Sequence, residues 1–238
     1  MFQAIIFDLF HTLTGPEAEW SELPWTSDVL GIDRRVWNDM LLSRSRWRLA
    51  GEETDAFTII RTLAHEVDPT IPIARIEEAT RVRVQRFKDS LAQVPVENVE
   101  TLRTLRTAGF RLGLISNADA MEAAPWPTCP LAGLFDVELF SCAVGLVKPE
   151  PAIYARCLDA LGVPPASCLF VGDGGSNELV GARAAGMSTV FVSGVMSTLW
   201  PERIPERLAS SDHHVERVPE LLQLLGLSTG ASSTRTPQ

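Results

Sequence analysis

One carboxylate at the end of a short apolar run constrains this chain more than any other feature. Residues 4–7 read Ala-Ile-Ile-Phe, and Asp8 follows directly. An apolar run of this length is typical of a strand buried on both faces, as in a parallel sheet. Asp8 is therefore expected at the carboxyl edge of a sheet, which is where open α/β sheets bind ligands. Taken alone, the stretch leaves two interpretations of Asp8 open, a turn-capping residue or a catalytic one.

The composition permits a substantial core and restricts the partners. The 238 residues suffice for one large domain or for a core with an insert, and 45% of them are hydrophobic. The net charge of −9 argues against a broad surface for nucleic acid or an anionic membrane. An anionic substrate would then need a local positive site, such as a metal ion, a lysine or a helix N-terminus.

Cysteine usage and the absence of long apolar runs favour a cytoplasmic protein. The four cysteines are scattered without a CxxC pair, and we expect buried free thiols. The chain starts without a basic leader, and no run approaches the roughly 20 apolar residues of a membrane span. We expect no nucleic-acid or membrane partner, and the charge is compatible with a monomer or a homodimer.

After residue 14 the pattern becomes helical. Gly15 and Pro16 break the first element, and residues 17–93 place apolar side chains at helical spacing without a strong strand run. The segment is also rich in arginine and tryptophan, which usually form a solvated face and a core; alternatively, they face a ligand. Helix starts are expected at four positions: Ser27, Asp33, Thr54 and Pro72.

From residue 96 onward strands and helices alternate. Helices are predicted over 96–107, 150–161, 179–185 and 219–225, and strands over 110–115, 137–141, 168–171, 189–192 and 214–215. Residues 121–133 contain three prolines and are expected to be irregular, and residues 194–210 to be an exposed loop with a short helix. The Ser/Thr/Gly-rich tail, 228–238, is predicted to be disordered.

This alternation predicts an α/β protein with a three-layer, Rossmann-like core around a parallel sheet. The core would comprise residues 1–14 and 94–227. An inserted, all-helical cap domain would comprise residues 15–93.

Polar residues follow four of the predicted strands. Because the carboxyl ends of parallel strands meet at one edge of a sheet, these residues are expected to converge. Each also has an ordinary interpretation as a turn residue, a surface lysine or a flexible loop; it is the occurrence of all four that indicates a site. The four positions are Asp8, Ser116 with Asn117, Lys148, and Asp173 with Glu178.

The same stretches resemble the motifs of the haloacid dehalogenase superfamily of hydrolases. IIFDLFHTL resembles the first motif, with an aspartate nucleophile and a threonine four residues later. LGLISNA resembles the second motif, GLVKPEPAIY the third and LFVGDGGSNELVGARAAG the fourth. The resemblance covers roughly residues 2–14 and 96–222, and the insert lies where members with a helical cap carry theirs.

The resemblance implies phosphoryl transfer through an aspartyl-phosphate on Asp8. A carboxylate that attacks a phosphoryl dianion meets charge repulsion, which Mg²⁺ relieves by binding both. The implied ligands are Asp8, the backbone carbonyl of Phe10 and Asp173, with Glu178 as a direct, water-bridged or more distant acid.

The resemblance also implies the residues that hold the substrate. Ser116 would bind phosphate oxygens, and Lys148 would pair with Asp8 and the phosphate. Thr12 and Asn117 are candidate substrate-binding residues beside them. In the cap, the candidates for substrate selection are Arg46 and Trp20, together with Arg44, Arg48 and Trp25.

One position departs from the phosphatase pattern. Phosphatases of this superfamily usually carry a general-acid Asp two residues after the nucleophile, and this chain has Phe10. The superfamily's 2-haloacid dehalogenases, which need no metal, carry an aromatic residue there. His11 lies where glycine is usual; it is either a tolerated loop residue or a replacement for the missing acid.

The acidic fourth loop favours a phosphatase over a dehalogenase. Asp8, Asp173 and Glu178 would repel one another without a cation, which costs free energy. A metal-independent dehalogenase would gain nothing from such a cluster. The expectation is therefore a Mg²⁺-dependent phosphatase of a small phosphorylated metabolite. The alternatives are a metal-independent 2-haloacid dehalogenase and a binding or regulatory protein that lost turnover with the acid.

Overall fold

The computed structural model of the protein describes residues 2–16, 19 and 21–227. Trp20 and the tail 228–238 lie outside these residues, so the predictions for them stay predictions. Six parallel strands form one sheet: β1 Ala4–Phe7, β2 Arg111–Ser116, β3 Val137–Phe140, β4 Cys168–Gly172, β5 Ser188–Val192 and β6 His213–Val215. Their order in the sheet is β3-β2-β1-β4-β5-β6.

Strand β1 lies at the centre of the sheet and is fully buried. Ile5 and Phe7 belong to the apolar cluster on one face, and Ala4 and Ile6 to the cluster on the other. The predicted strand buried on both faces is therefore confirmed. The chain changes direction across the sheet between β1 and β4, so the carboxyl ends of these strands flank the crevice where such folds bind ligands.

Five helices follow β1: α1 Thr26–Leu30, α2 Arg34–Ser43, α3 Arg46–Leu49, α4 Ala56–Val67 and α5 Ile73–Ala92. Residues 26–92, here called the helical region, build most of one apolar cluster, which includes Ile60 and Ile76 and is joined by Met121 from the core. Asp33 caps α2 as predicted, because its side chain accepts two backbone N–H groups. Helix α4 is capped by Asp55, one residue after the predicted start at Thr54.

The remaining helices flank the sheet: α6 Val96–Thr107, α7 Ala120–Ala123, α8 Ser141–Val144, α9 Pro151–Leu161, α10 Glu178–Ala184, α11 Gly194–Leu199, α12 Ile204–Ala209 and α13 Glu220–Leu224. The predicted α/β, Rossmann-like fold is confirmed. Residues 194–210 are more helical than predicted, because Pro201 and Pro205 occupy first-turn positions, where a missing N–H costs nothing. The segment 121–133, expected to be irregular, begins within α7 and contains the short 3-10 helix Trp126–Thr128.

All four cysteines are free thiols; Cys129, Cys157 and Cys168 are buried as expected, whereas Cys142 is partly exposed. None of the helices in the described part of the chain combines the length and the apolar character that crossing a bilayer requires.

Candidate active site

Asp8 leaves β1 at the carboxyl edge of the sheet, where its N–H donates to the carbonyl of Val171 at 2.9 Å. Its side chain is buried. One carboxylate oxygen accepts the Thr12 hydroxyl at 2.8 Å, and the other accepts the Lys148 ammonium at 2.5 Å. Thr12, predicted to bind substrate, is thus bonded to Asp8 and orients it.

Lys148 is a buried cation shared by two acids. Its Nζ lies 2.5 Å from Asp8 Oδ1 and 2.5 Å from Glu178 Oε2. Burial alone would lower the pKa of Lys148, but the two carboxylates outweigh burial and raise this pKa above its ordinary value, so the ammonium form persists. Burial, and then the charge of Asp8, raise the pKa of Glu178 well above its ordinary value.

Asn117 positions Lys148 through its backbone. The Asn117 amide oxygen accepts the Lys148 N–H at 2.8 Å, and the amide nitrogen donates to the Lys148 carbonyl at 2.9 Å. These two bonds join the end of β2 to the loop before α9. We therefore assign Asn117 a positioning role in place of the predicted substrate contact.

Ser116 ends β2, and its hydroxyl is buried at the edge of the sheet. Its Oγ is fully enclosed and has no hydrogen-bond partner within the described part of the chain. A buried hydroxyl without a partner costs free energy unless a ligand or water supplies one. This is the behaviour expected of a group that binds a substrate oxygen.

The loop after β4 carries the other two acids. Asp173 Oδ1 accepts the N–H of Gly175 at 2.7 Å, and Glu178 Oε1 accepts the N–H of Gly174 at 3.0 Å. Gly172 leaves room for Glu178, because a Cβ at position 172 would lie 2.1 Å from Glu178 Oε1. The glycines of the loop thus allow both carboxylates to fold back on the sheet edge.

Three of the four predicted metal ligands converge, and the fourth, the backbone carbonyl of Phe10, stays a prediction. One carboxylate oxygen each from Asp8, Asp173 and Glu178 lies within 4.8 Å of the others, and all three residues are buried. Carboxylate oxygens are the donors that Mg²⁺ prefers, so the residues fit the ion. Glu178 is the most deeply buried of the three, at 1% exposed against 7% for Asp8 and 6% for Asp173. Its two oxygens accept Lys148 Nζ and the N–H of Gly174. We therefore expect Asp8 and Asp173 to be the direct ligands and Glu178 to hold Lys148.

Arg207 is a second cation at this cluster, and the sequence did not point to it. Its Nη1 donates to the Asp173 carbonyl and lies 3.4 Å from Asp173 Oδ2. It comes from α12, in the segment predicted to be an exposed loop with a short helix, and it belongs to none of the four motifs. Because Lys148 and Arg207 offset part of the repulsion among the acids, the acidic loop is a weaker argument for a metal than the sequence suggested.

Phe10 and His11 point in different directions from the loop after β1. The Phe10 ring packs edge-to-face on Phe87 of α5, with ring centroids 5.4 Å apart. His11 has a φ of 63°, the left-handed conformation that favours glycine. Its Nδ1 lies 4.0 Å from Asp173 Oδ2, and its ring packs edge-to-face on Trp200. His11 is therefore at the site, whereas Phe10 contacts the helical region.

A buried group of four charges joins the helical region to the core, and we call it the interface quartet: Arg48, Arg83, Asp119 and Glu122. Arg48 Nη1 lies 2.7 Å from Asp119 Oδ2, and Arg83 Nη2 lies 2.6 Å from Glu122 Oε1. Asp119 also caps α7. Sequence reasoning missed this group because its members come from three separate helices, and it misread Arg48 as a substrate contact.

The remaining predicted selectors lie elsewhere. Arg46 is 57% exposed, and its Nε lies 3.2 Å from Glu150 Oε1 at the rim between helical region and core. Arg44 pairs with Glu66 at the surface. Trp25 is held between two guanidinium groups, those of Arg34 and Arg86. Contact of these three residues with a substrate stays a prediction.

Comparison with known proteins agrees with this geometry. The model of the haloacid dehalogenase-like hydrolase family matches residues 2–186. The chain is 37% identical over 100 residues to bifunctional epoxide hydrolase 2 of Mus musculus, a match that covers 40% of this chain but only 18% of that protein. It is 30% identical over 131 residues to the glyceraldehyde 3-phosphate phosphatase of Methanopyrus kandleri, covering 53% of this chain and 54% of the relative.

A solved structure covers nearly the whole chain. An L-2-haloacid dehalogenase superposes with a TM-score of 0.68 and 26% identity, over 94% of this chain and 99% of the other. Its similarity extends beyond residue 186, where the family model stops. Together with the convergent acids and lysine at the sheet edge, these matches establish that the chain belongs to the haloacid dehalogenase-like hydrolases.

Proposed function

We propose that the protein is a Mg²⁺-dependent phosphatase that hydrolyses a small phosphorylated metabolite, with Asp8 as the nucleophile. The observation that carries the proposal is the convergence of the three buried carboxylates of Asp8, Asp173 and Glu178 within 4.8 Å. Lys148 and Arg207 offset part of the negative charge of these acids. A cation bound between Asp8 and Asp173 would offset more of it and favour the approach of a phosphate dianion.

The residues of the site would share the chemistry as follows. A carboxylate oxygen of Asp8 attacks phosphorus, the new O–P bond forms as the leaving-group oxygen departs, and water later hydrolyses the acyl phosphate. Ser116 donates its unused hydroxyl to a phosphoryl oxygen, and Lys148 neutralises charge on Asp8 and the phosphoryl group. Bound by Asp8 and Asp173, Mg²⁺ would neutralise the phosphoryl oxygens.

The leaving oxygen needs a proton, and His11 is the residue of the first motif that could provide it. It lies three residues from the nucleophile and faces Asp173 across 4.0 Å. The helical region, which packs on Phe10, would exclude water and select the substrate, as lids generally do.

The experiment is a panel of phosphate esters and 2-haloacids, assayed for phosphate and for halide, each with Mg²⁺ and with EDTA. We expect phosphate release only with Mg²⁺ and its loss in Asp8→Asn. Asp159→Asn, on the exposed face of α9, is the matched control and should behave like the wild type. Phosphate release that persists in EDTA would refute the role of the ion.

A second candidate, a metal-independent 2-haloacid dehalogenase, has its own support. Phe10 stands where a phosphatase usually has its acid, and an L-2-haloacid dehalogenase matches nearly the full length of the chain. In that reaction Asp8 would attack the carbon that bears the halogen, and halide would leave without needing a proton. Halide release in EDTA, with no phosphate release in Mg²⁺, would favour it.

A further inference from the structure

Arg207 reaches the carboxylate cluster from outside the four motifs. It belongs to α12, and its side chain is only 12% exposed. Nη1 donates to the backbone carbonyl of Asp173 and lies 3.4 Å from its Oδ2. The guanidinium therefore contacts Asp173, the acid that we expect, with Asp8, to hold a divalent cation.

The surroundings hold this side chain in place. Arg207 Nη1 also lies 3.0 Å from the sulfur of Met196 on α11. Gly174 accommodates its aliphatic part, because a Cβ at position 174 would come within 2.9 Å of Arg207 Cδ. Contacts from α11 and from the loop after β4 thus converge on one guanidinium.

The three carboxylates of the cluster are paired with two different cations. Lys148 contacts Asp8 and Glu178, whereas Arg207 contacts Asp173. Asp173 Oδ1 accepts the N–H of Gly175, whereas Oδ2 faces Arg207 Nη1 at 3.4 Å and His11 Nδ1 at 4.0 Å. A divalent cation that binds Asp173 therefore meets a fixed positive charge next to its ligand.

We infer that Arg207 is a positioning residue that orients Asp173 and, through its charge, weakens the binding of a divalent cation to the substrate-free site. The inference rests on the proposed function, since it concerns the ion which that function requires. Two like charges a few ångströms apart near a protein surface repel strongly enough to change affinity by about tenfold or more. The ion then binds firmly only when an anionic substrate adds its own negative charge.

The test is titration of the substrate-free protein with Mn²⁺, with the free ion followed by electron paramagnetic resonance. We expect Arg207→Gln to bind Mn²⁺ about tenfold or more tightly than the wild type, and Arg207→Lys to remain within about threefold of it. Arg203→Gln, an exposed arginine one turn earlier, should leave the affinity unchanged. A purely structural role would alter the Lys and Gln variants alike and would weaken binding.

The outcomes separate this inference from the proposed function. Binding by the wild type with no gain in Arg207→Gln would overturn the inference and leave the cation site standing. No binding by any variant, with activity intact in EDTA, would refute the proposed function and the inference with it. Circular dichroism checks that each variant folds, and Arg207→Met, which keeps the packing on Gly174, replaces the Gln variant if that one unfolds.

Discussion

At the scale of single residues, the site depends on groups that fix the position of the reacting ones. Asn117 is the clearest case, because both atoms of its amide are bonded to the backbone of Lys148. Its side chain touches neither Asp8 nor Glu178 in the hydrogen bonds described, yet it sets the place of the lysine that touches both. Its effect on the reaction should therefore pass through Lys148.

We predict that Asn117→Ala lowers kcat about tenfold or more, since a small displacement of a catalytic group is costly. The loss of two partly buried hydrogen bonds should also lower the free energy of unfolding by about 1–3 kcal/mol. Steady-state kinetics and urea denaturation measure the two effects. Asn38→Ala, on the exposed side of α2, is the control; unchanged kcat in Asn117→Ala would contradict the positioning role.

His11 combines an unfavourable backbone conformation with a place at the site. A left-handed φ costs a residue with a Cβ about 1–2 kcal/mol, a cost that glycine avoids. His11→Gly should therefore keep or raise the melting temperature while turnover falls about 10²-fold, if the imidazole supplies the proton. Turnover equal to that of the wild type would instead make His11 a tolerated loop residue.

Cys142 is partly exposed but should be unreactive. Burial, and then the charges of Asp119 and Glu122, raise its pKa to about 11. Below that pH the thiolate fraction rises about tenfold per unit, so alkylation by iodoacetamide should be slow at pH 8 and still accelerating at pH 10. Mass spectrometry of the peptide that contains Cys142 follows the rate, and a plateau by pH 9 would contradict the shift.

At the scale of secondary-structure elements, the interface quartet ties α3 and α5 to α7. Burial, and then the charge of Asp119, raise the pKa of Glu122, while Arg48 and Arg83 oppose the shift. Such groups stabilise a structure only as long as every charge keeps its partner. The quartet thus fixes how the helical region sits on the core.

We predict that Arg83→Met destabilises the protein by about 3–5 kcal/mol, because it leaves Glu122 buried with a weaker partner. The double variant Arg83→Met/Glu122→Met should cost less than the sum of the single changes. Urea unfolding of the wild type, the two single variants and the double variant gives the coupling energy between Arg83 and Glu122. Arg81→Met, an exposed position on the same helix, should change stability by no more than about 0.5 kcal/mol, and additive costs in the cycle would exclude coupling.

Local patterns in the sequence predicted helices and strands well where the structure of a segment depends on the residues of that segment alone. The apolar run before Asp8 and the regular alternation after residue 96 gave the strands, and Val96–Thr107 was predicted with its observed bounds. Residues 194–210, predicted as an exposed loop with one short helix, form two α-helices and a 3-10 turn between them. No local pattern indicated that Arg207, on the second of these helices, reaches the site.

At the scale of the whole molecule, the parallel sheet explains why distant motifs form one site. Ser116 follows Asp8 by 108 residues and Asp173 follows Ser116 by 57, yet the three leave neighbouring strands at the same edge. Fold rules therefore made their convergence predictable. The partners of Arg48, Arg83 and Arg207 depend on how helices pack across the molecule, and no local pattern encodes that.

The helical region covers the site edge through contacts of two kinds. Phe87 packs on Phe10 in the loop of the nucleophile, and the interface quartet anchors the same helix, α5, to the core. The residue that replaces the usual phosphatase acid is therefore part of the interface between the two regions. The covalent intermediate on Asp8 therefore distinguishes phosphoryl transfer from dehalogenation.

The most direct measurement is the mass of the peptide that contains Asp8 after acid quench of the protein during turnover. The protein is mixed with Mg²⁺ and a phosphate ester that it hydrolyses, or with a 2-haloacid. The account predicts a phosphoryl group on Asp8 that appears only with Mg²⁺ and is absent from Asp8→Asn. An Asp8 ester of the haloacid carbon skeleton, formed in EDTA, would contradict it and identify the protein as a dehalogenase.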